Sequence, residues 1–287
     1  MDGRRQQMVT TNRAGHPLPY DTYQRAIERE TLRFAEVVEG ADTKTAVPSC
    51  PGWTLTELTQ HVGALQRWFC TLLSRLVQEP PRSREVELGL PERVEEYADW
   101  VAQGVPAVIA VLRETDPQAA MWAWGEDQYA RFWARRMFFE TLVHRVDAER
   151  AVGRESDIDP VLAADGVDEF LVNLPYAGLF APAVTKLRGN GEVIAFQCLD
   201  ATGDSGDSGG VGEEWRVRLD PDGFRLLPGG SAGTDAGKPG AQVTVRGQAA
   251  DLLMLLYGRR SYQDQESALQ VSGETALLDR WFAHTAF

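Results

Sequence analysis

The sequence predicts an α+β protein whose first half is helical and whose second half mixes short strands with helices. Two observations carry this. Before residue 153, apolar residues recur at helical spacing in four long segments. Beyond about residue 190 the pattern changes to short strand-like runs separated by Gly and Pro turns.

The elements follow in chain order. Residues 1–18 read as a disordered leader. From Asp21 to Glu39, the residues Tyr23, Ile27, Thr31, Phe34 and Val38 share one helical face. Pro51-Gly52 makes a turn, and Thr54 followed by Glu57 is a capping box that opens the second helix. Its stripe carries Leu58, His61, Leu65, Trp68, Leu72 and Leu76. A Pro- and charge-rich stretch from Glu79 to Pro91 leads to a third helix, Glu92 to Glu114, which Pro106 is expected to kink or break. The fourth runs from about Asp127 to Val152 and ends at Gly153; its stripe is Trp133, Met137, Glu140, His144, Asp147 and Ala151. Residues 160–174 form one more helix. Strands are expected at Glu192–Leu199, Glu214–Leu219, Gly223–Leu227 and Ala241–Arg246, and helices at Gln248–Tyr257 and Leu277–Ala283. Asp200 to Glu213, rich in Gly, Ser and Asp, reads as an exposed mobile loop. The chain thus divides into a leader (1–18), a helical domain (19–158) and an α+β domain (159–287) with its loop at 200–213.

Composition narrows the function. A formal charge of −13 over 287 residues argues against a nucleic-acid partner, which needs a basic surface. No apolar run approaches the length of a membrane span, and no apolar stretch follows Arg4 and Arg5 as a secretory signal requires. Cys50, Cys70 and Cys198 are few, odd in number and without a CxxC, which fits a reducing cytoplasm.

The chemistry sits on the fourth helix. Glu140, His144 and Asp147 fall in consecutive turns of a face that should be buried, and buried charge needs a partner or a metal. His61 lies on the inward stripe of the second helix. His61, Glu140 and His144 together are the ligand set of a catalytic zinc, which keeps a coordination position open. Singly, each has a blander reading: His61 as a core histidine hydrogen-bonded to a neighbouring helix, and Glu140 with His144 as an intrahelical pair. Asp147 has two open readings, a salt bridge to Arg145 or Arg150, or a partner that orients His144. Trp53, Trp122, Trp124 and Trp133 read as core and pocket wall, and Cys50 and Cys70 as structural. Gly206-Asp-Ser208-Gly-Gly copies the surroundings of a serine-protease nucleophile. It is rejected because it lies in a low-complexity loop of a chain whose upstream half is helical, without that fold's histidine.

Three segments resemble a known family: Val47-Pro-Ser-Cys-Pro-Gly-Trp53-Thr with His61; Arg135-Arg-Met-Phe-Phe-Glu140-Thr-Leu-Val-His144-Arg-Val-Asp147; and Ala250-Asp-Leu-Leu-Met-Leu-Leu-Tyr-Gly-Arg259-Arg-Ser. They are similar to the mycothiol-dependent maleylpyruvate isomerase family of actinobacteria, over nearly the whole chain beyond the leader. The resemblance implies a DinB-like four-helix bundle followed by a sterol-carrier-like α+β domain. It implies a divalent metal, usually zinc, held by His61, Glu140 and His144, with Asp147 as the acidic residue that follows. It also implies an arginine needed for activity at Arg259, with Arg260 as the alternative. The expected function is then a zinc-dependent, mycothiol-using isomerase or S-transferase. It would act on a small electrophile, maleylpyruvate-like or from secondary metabolism, by adding a metal-activated thiolate. An arginine fork would suit a carboxylate of the substrate or thiol. The rival is a metal-stabilised protein that binds a small apolar ligand without catalysis.

Overall fold

The computed structural model describes residues 15–80, 86–200, 213–228, 240–264 and 268–285. The expected leader falls largely outside these, and so does nearly all of the 200–213 loop, including its serine-protease look-alike. The leader reading is corrected at its end: His16 is buried at 5% exposure, paired with acids of two later elements, so residues up to 18 are not all leader.

Helix α1 spans Tyr20–Val38, α2 Leu55–Arg75, α3 Tyr97–Glu114 and α4 Ala130–Ala151. The α2 start is the expected capping box: the Thr54 hydroxyl accepts from the Thr56 amide at 3.2 Å, and Glu57 accepts from the Thr54 amide at 2.8 Å. Pro106 does not break α3. The helix runs through it because Val101, Val105, Val108 and Leu112 bury one continuous face. A single 3₁₀ turn, Val94–Glu96, takes the place of the first helical turn expected from Glu92.

Helix α4 departs most from a simple stripe. Of its 22 residues, 18 are buried, so it is central rather than amphipathic. Helices α1 and α2 pack against it directly. Its charges therefore need internal partners. Arg145 pairs with Glu30 of α1 at 2.8 Å and with Glu149 at 2.6 Å. Arg135 pairs with Asp165 and Asp168, and Arg136 with Glu169, all on the next helix.

That next helix, α5, spans Pro160–Asn173. Asp159 caps it by accepting from the Val161 and Leu162 amides, and Pro160 occupies the first turn, where no amide is needed. Two 3₁₀ segments, Leu174–Leu179 and Pro182–Lys186, lead to the sheet. Strands β1 (Val193–Cys198), β2 (Glu214–Asp220), β3 (Gly223–Leu226), β4 (Val243–Gly247) and β5 (Gln270–Gly273) are ordered β3-β2-β1-β4-β5. Only the central β1–β4 pair is parallel, and it needs the long crossover that precedes β4. Helices α6 (Ala249–Leu256) and α7 (Thr275–Phe282) complete the α+β half. Strand β5 is absent from the sequence reading. It is a four-residue, mostly exposed edge strand with one aliphatic side chain, so no alternation marks it.

One apolar cluster runs from Tyr23 and Ile27 of α1 through α4 and α5 to Trp281 of α7. The helical and α+β halves therefore share a core, and α5 packs on α6.

Candidate metal centre and its pocket

The site is assembled by three pieces of chain. The first is the loop before α2. Val47 donates to the Trp53 carbonyl at 2.9 Å and Trp53 to the Cys50 carbonyl at 3.0 Å, which ties the loop shut. Gly52 supplies the positive φ of +85° at its tip. The closed loop sets Ser49 and Cys50 against Asp147 and lays Trp53 against both imidazoles, 5.1 Å from His61 and 6.5 Å from His144.

The second piece is the facing pair α2 and α4. His61 of α2 meets His144 of α4 edge to face, centroids 4.9 Å apart. Glu140 lies one turn before His144, with Oε2 3.5 Å from His144 Nε2. One ligand atom from each of His61, Glu140 and His144 can be chosen so that all lie within 4.8 Å of one another. The three expected ligands thus converge.

The third piece is the end of α6. Gly258 (φ +72°) donates to the Leu255 carbonyl at 2.9 Å and Arg259 to the Met254 carbonyl at 2.7 Å, a Schellman cap. The cap turns Arg259 back into the cleft. Arg260 points elsewhere and pairs with Asp251 at 3.0 Å, so of the two candidates it is Arg259 that reaches the site.

Asp147 joins the pieces. It is fully buried and accepts from Ser49 Oγ at 2.6 Å, from Arg259 Nε and Nη2 at 3.0 and 2.8 Å, and pairs with His144 Nδ1 at 3.0 Å. Neither Arg145 nor Arg150 is its partner: Arg145 is held by Glu30 and Glu149, and Arg150 donates to the Arg259 carbonyl. The Arg259 fork, expected to be free for a substrate carboxylate, is closed on Asp147. Its Nη1 donates to the Tyr257 carbonyl at 2.8 Å.

The electrostatics suit a cation. Burial, and then the neighbouring His144, push His61 down to about 4, so this ring is neutral near pH 7, as a ligand must be. Burial opposes charge on His144 too, but Asp147, Cys50 and Glu140 outweigh it and raise the ring to about 10. Burial also works against the charges of Glu140 and Asp147. Arg136 and His144 hold the first below the ordinary carboxylate range, and His144 and Arg259 hold the second there. Two imidazoles and a carboxylate on rigid helices, with a carboxylate behind one imidazole, form a donor set that fits zinc or a similar divalent ion.

A second trio, Cys50, His144 and Asp147, also comes within 4.8 Å. It fits a metal poorly, because the Asp147 oxygens already serve a serine, a histidine and a guanidinium that would repel the ion.

The ligand atoms open onto a cavity of about 590 Å³. Trp53, Trp124 and Trp133 line it as expected; Trp122 instead packs behind Trp133, 5.4 Å away. Trp68, Phe180, Arg136 and Tyr257 also face the cavity and were not singled out in the sequence. Arg136 holds Glu140 Oε1 at 3.1 Å through Nε and at 2.6 Å through Nη2, and its Nη1 reaches Glu169 and the Tyr257 hydroxyl. The four-residue spacing of Arg136 and Glu140 was legible in the sequence; Glu169 and Tyr257 come from other elements.

Fold and site together define a class: a helical bundle in which two histidines and a glutamate converge, joined to an α+β domain that closes one side of the cleft. The comparisons narrow the class to a family. Residues 24–149 match the mycothiol maleylpyruvate isomerase N-terminal domain, and residues 161–280 the C-terminal domain of the same family. The chain belongs to the mycothiol-dependent maleylpyruvate isomerase family. Its fold is similar to a crystal structure of the mycothiol-dependent maleylpyruvate isomerase (18% identity, TM-score 0.55) and to that of a histidine-to-alanine mutant of that enzyme (18%, TM-score 0.56). Each comparison covers 90% of this chain and 95% of the other. No curated protein sequence matches it.

Proposed function

We propose that the protein is a metal-dependent, mycothiol-using isomerase or S-transferase acting on a small electrophile. The observation that carries this is the convergence of His61, Glu140 and His144 at the floor of an open cavity in a chain of this family. His61, Glu140 and His144 would hold zinc or another divalent ion. When bound, the ion lowers the pKa of a thiol and supplies thiolate at neutral pH. The protein's own groups keep the site in order. Asp147 fixes the His144 ring and its Nδ1 proton, leaving Nε2 toward Glu140; Arg259 and Ser49 hold Asp147, and Arg136 holds Glu140. The aromatic walls exclude water from the reacting sulfur.

Among the described residues no helix is long and apolar enough to cross a membrane, and the three cysteines are free. The free cysteines fit a protein that works on a reduced thiol pool in the cytoplasm. The rival, a metal-stabilised binder of a small apolar ligand, draws support from the apolar cavity alone. The experiment is metal analysis paired with thiol consumption. About one divalent ion per chain and mycothiol-dependent turnover are expected. Protein that takes up no metal on reconstitution sinks the metal reading. Metal-loaded protein that consumes no thiol with any electrophile of a broad panel favours the rival.

A further inference from the structure

We propose that the pocket selects an uncharged, aryl-bearing electrophile rather than a small dicarboxylate; this rests on the thiol-addition reading above and names its substrate class. The first argument is the wall. Trp53, Trp68, Phe69, Trp124, Trp133 and Phe180 all face the cavity. Trp68 and Trp133 meet edge to face at 5.2 Å, as do Trp124 and Phe180 at 5.7 Å, so the wall is a packed aromatic surface. Aryl groups gain from such surfaces beyond the area they bury, and a charged diacid gains nothing from them.

The second argument is charge. Among the described residues lining the cavity, the permanent cations are Arg136 and Arg259. Both are already spent. Arg136 serves Glu140 and Glu169, and Arg259 closes its fork on Asp147 while Nη1 donates to the Tyr257 carbonyl. Two guanidinium groups therefore face three protein carboxylates. A divalent ion held by His61, Glu140 and His144 would accept one carboxylate of a diacid. The second would enter an aromatic cavity with no unpaired guanidinium, and an unpaired buried charge is costly.

The third argument is size and access. About 590 Å³ lies within the range of pockets for drug-sized ligands. Phe180, which lines the cavity, is 50% exposed, and it directly follows the 3₁₀ segment whose Tyr176 and Leu179 are also exposed, so an apolar surface adjoins the cavity at this point.

The chemistry balances for a cis-enedione. The thiolate lone pair forms a C–S bond to one alkene carbon, and the π pair moves through the other carbon to the carbonyl oxygen as an enolate. The former double bond rotates; the enolate pair then re-forms C=C and expels the thiolate. No electrons are gained or lost overall, and the thiol is regenerated.

The test uses full-length, metal-replete protein. Quenching of tryptophan fluorescence is titrated, without thiol, by trans-dibenzoylethene and by fumarate. In parallel, cis-dibenzoylethene and maleylpyruvate are followed for conversion above the rate with mycothiol alone. The diaryl ketone is expected to bind about tenfold or more tightly than fumarate. Phe180→Ala, at an exposed position that will not unfold the chain, is expected to lower kcat/KM for the diaryl substrate about tenfold and to lower it for maleylpyruvate by clearly less. Fumarate binding as tightly as the diaryl ketone, or no binding of the ketone, overturns the proposal whichever substrate is converted. Tight ketone binding without thiol-dependent conversion of either substrate upholds the pocket preference and overturns the thiol-addition reading.

Discussion

His144 has a carboxylate at each ring nitrogen, Asp147 at Nδ1 and Glu140 near Nε2, and the two have different work. Glu140 shares the ligand cluster with His61; Asp147 is walled in by Ser49, Cys50 and Arg259. We predict that His144→Ala abolishes metal retention. Asp147→Asn should instead weaken it by about 10–100-fold, because the ring loses its orienting partner but keeps its lone pair. Dialysis against a graded chelator reads both; equal loss in the two variants would make Asp147 a ligand. Arg259→Lys should also weaken metal retention, by less than Asp147→Asn, since an ammonium cannot replace a fork closed on Asp147; unchanged retention and turnover remove Arg259 from the site's working parts. The convergence of Glu140 and His144 was legible because one helical turn separates them and both belong to a face too polar to bury unaided. The state of Arg259 was not. That its fork is consumed by Asp147 depends on a contact across 112 residues, which no local spacing announces.

At the scale of the element, capping and periodicity carried the reading well. Thr54 with Glu57 marked the start of α2 within a residue, and Asp159-Pro160 opens α5 for the same local reason. Thr54→Ala should cost roughly 1 kcal/mol by urea denaturation, the worth of an N-cap. A loss below the error of the measurement would mean that loop contacts, not the cap, hold the start of α2. Burial was misjudged for α4, read as a stripe though it is covered nearly all round. The burial of its arginines was not read from the sequence, because their partners Glu30, Asp165, Asp168 and Glu169 lie on α1 and α5. Glu30→Ala would strip one carboxylate from Arg145, a fully buried cation. Such losses run to about 3–5 kcal/mol, and Glu149, which stays in place, should hold this one near the lower end. The measurement is the urea midpoint at constant slope. A change under about 1 kcal/mol would show that Glu149 alone suffices.

Across the whole molecule, the helical and α+β halves are joined by a continuous apolar cluster and by one histidine from the chain's beginning. His16 places Nδ1 2.9 Å from Asp165 on α5 and Nε2 2.6 Å from Glu213 just before β2. Asp165 is also held by Tyr23 and Arg135, and Asp168 adds its charge nearby. No sequence pattern reveals this, because a lone histidine in a polar segment looks like leader until its two acids are brought to it by folding. Burial disfavours the charged ring, but the bonds to Asp165 and Glu213 outweigh that and raise it to about 9. Its unfolded value is about 6.5, so the folded state binds the proton more tightly. The stabilisation is therefore full below about pH 6.5, declines as pH rises, and is gone above about 9. From the size of the shift it amounts to at most roughly 3 kcal/mol. Metal-replete protein keeps His144 from contributing a similar slope. Under that condition, stability from urea unfolding should fall between about pH 6.5 and 9 in the parent protein. In His16→Gln it should start lower and stay nearly flat, and the two curves should meet above pH 9. Parallel curves, with the same slope in both proteins, would show that the His16 proton does not link the two halves.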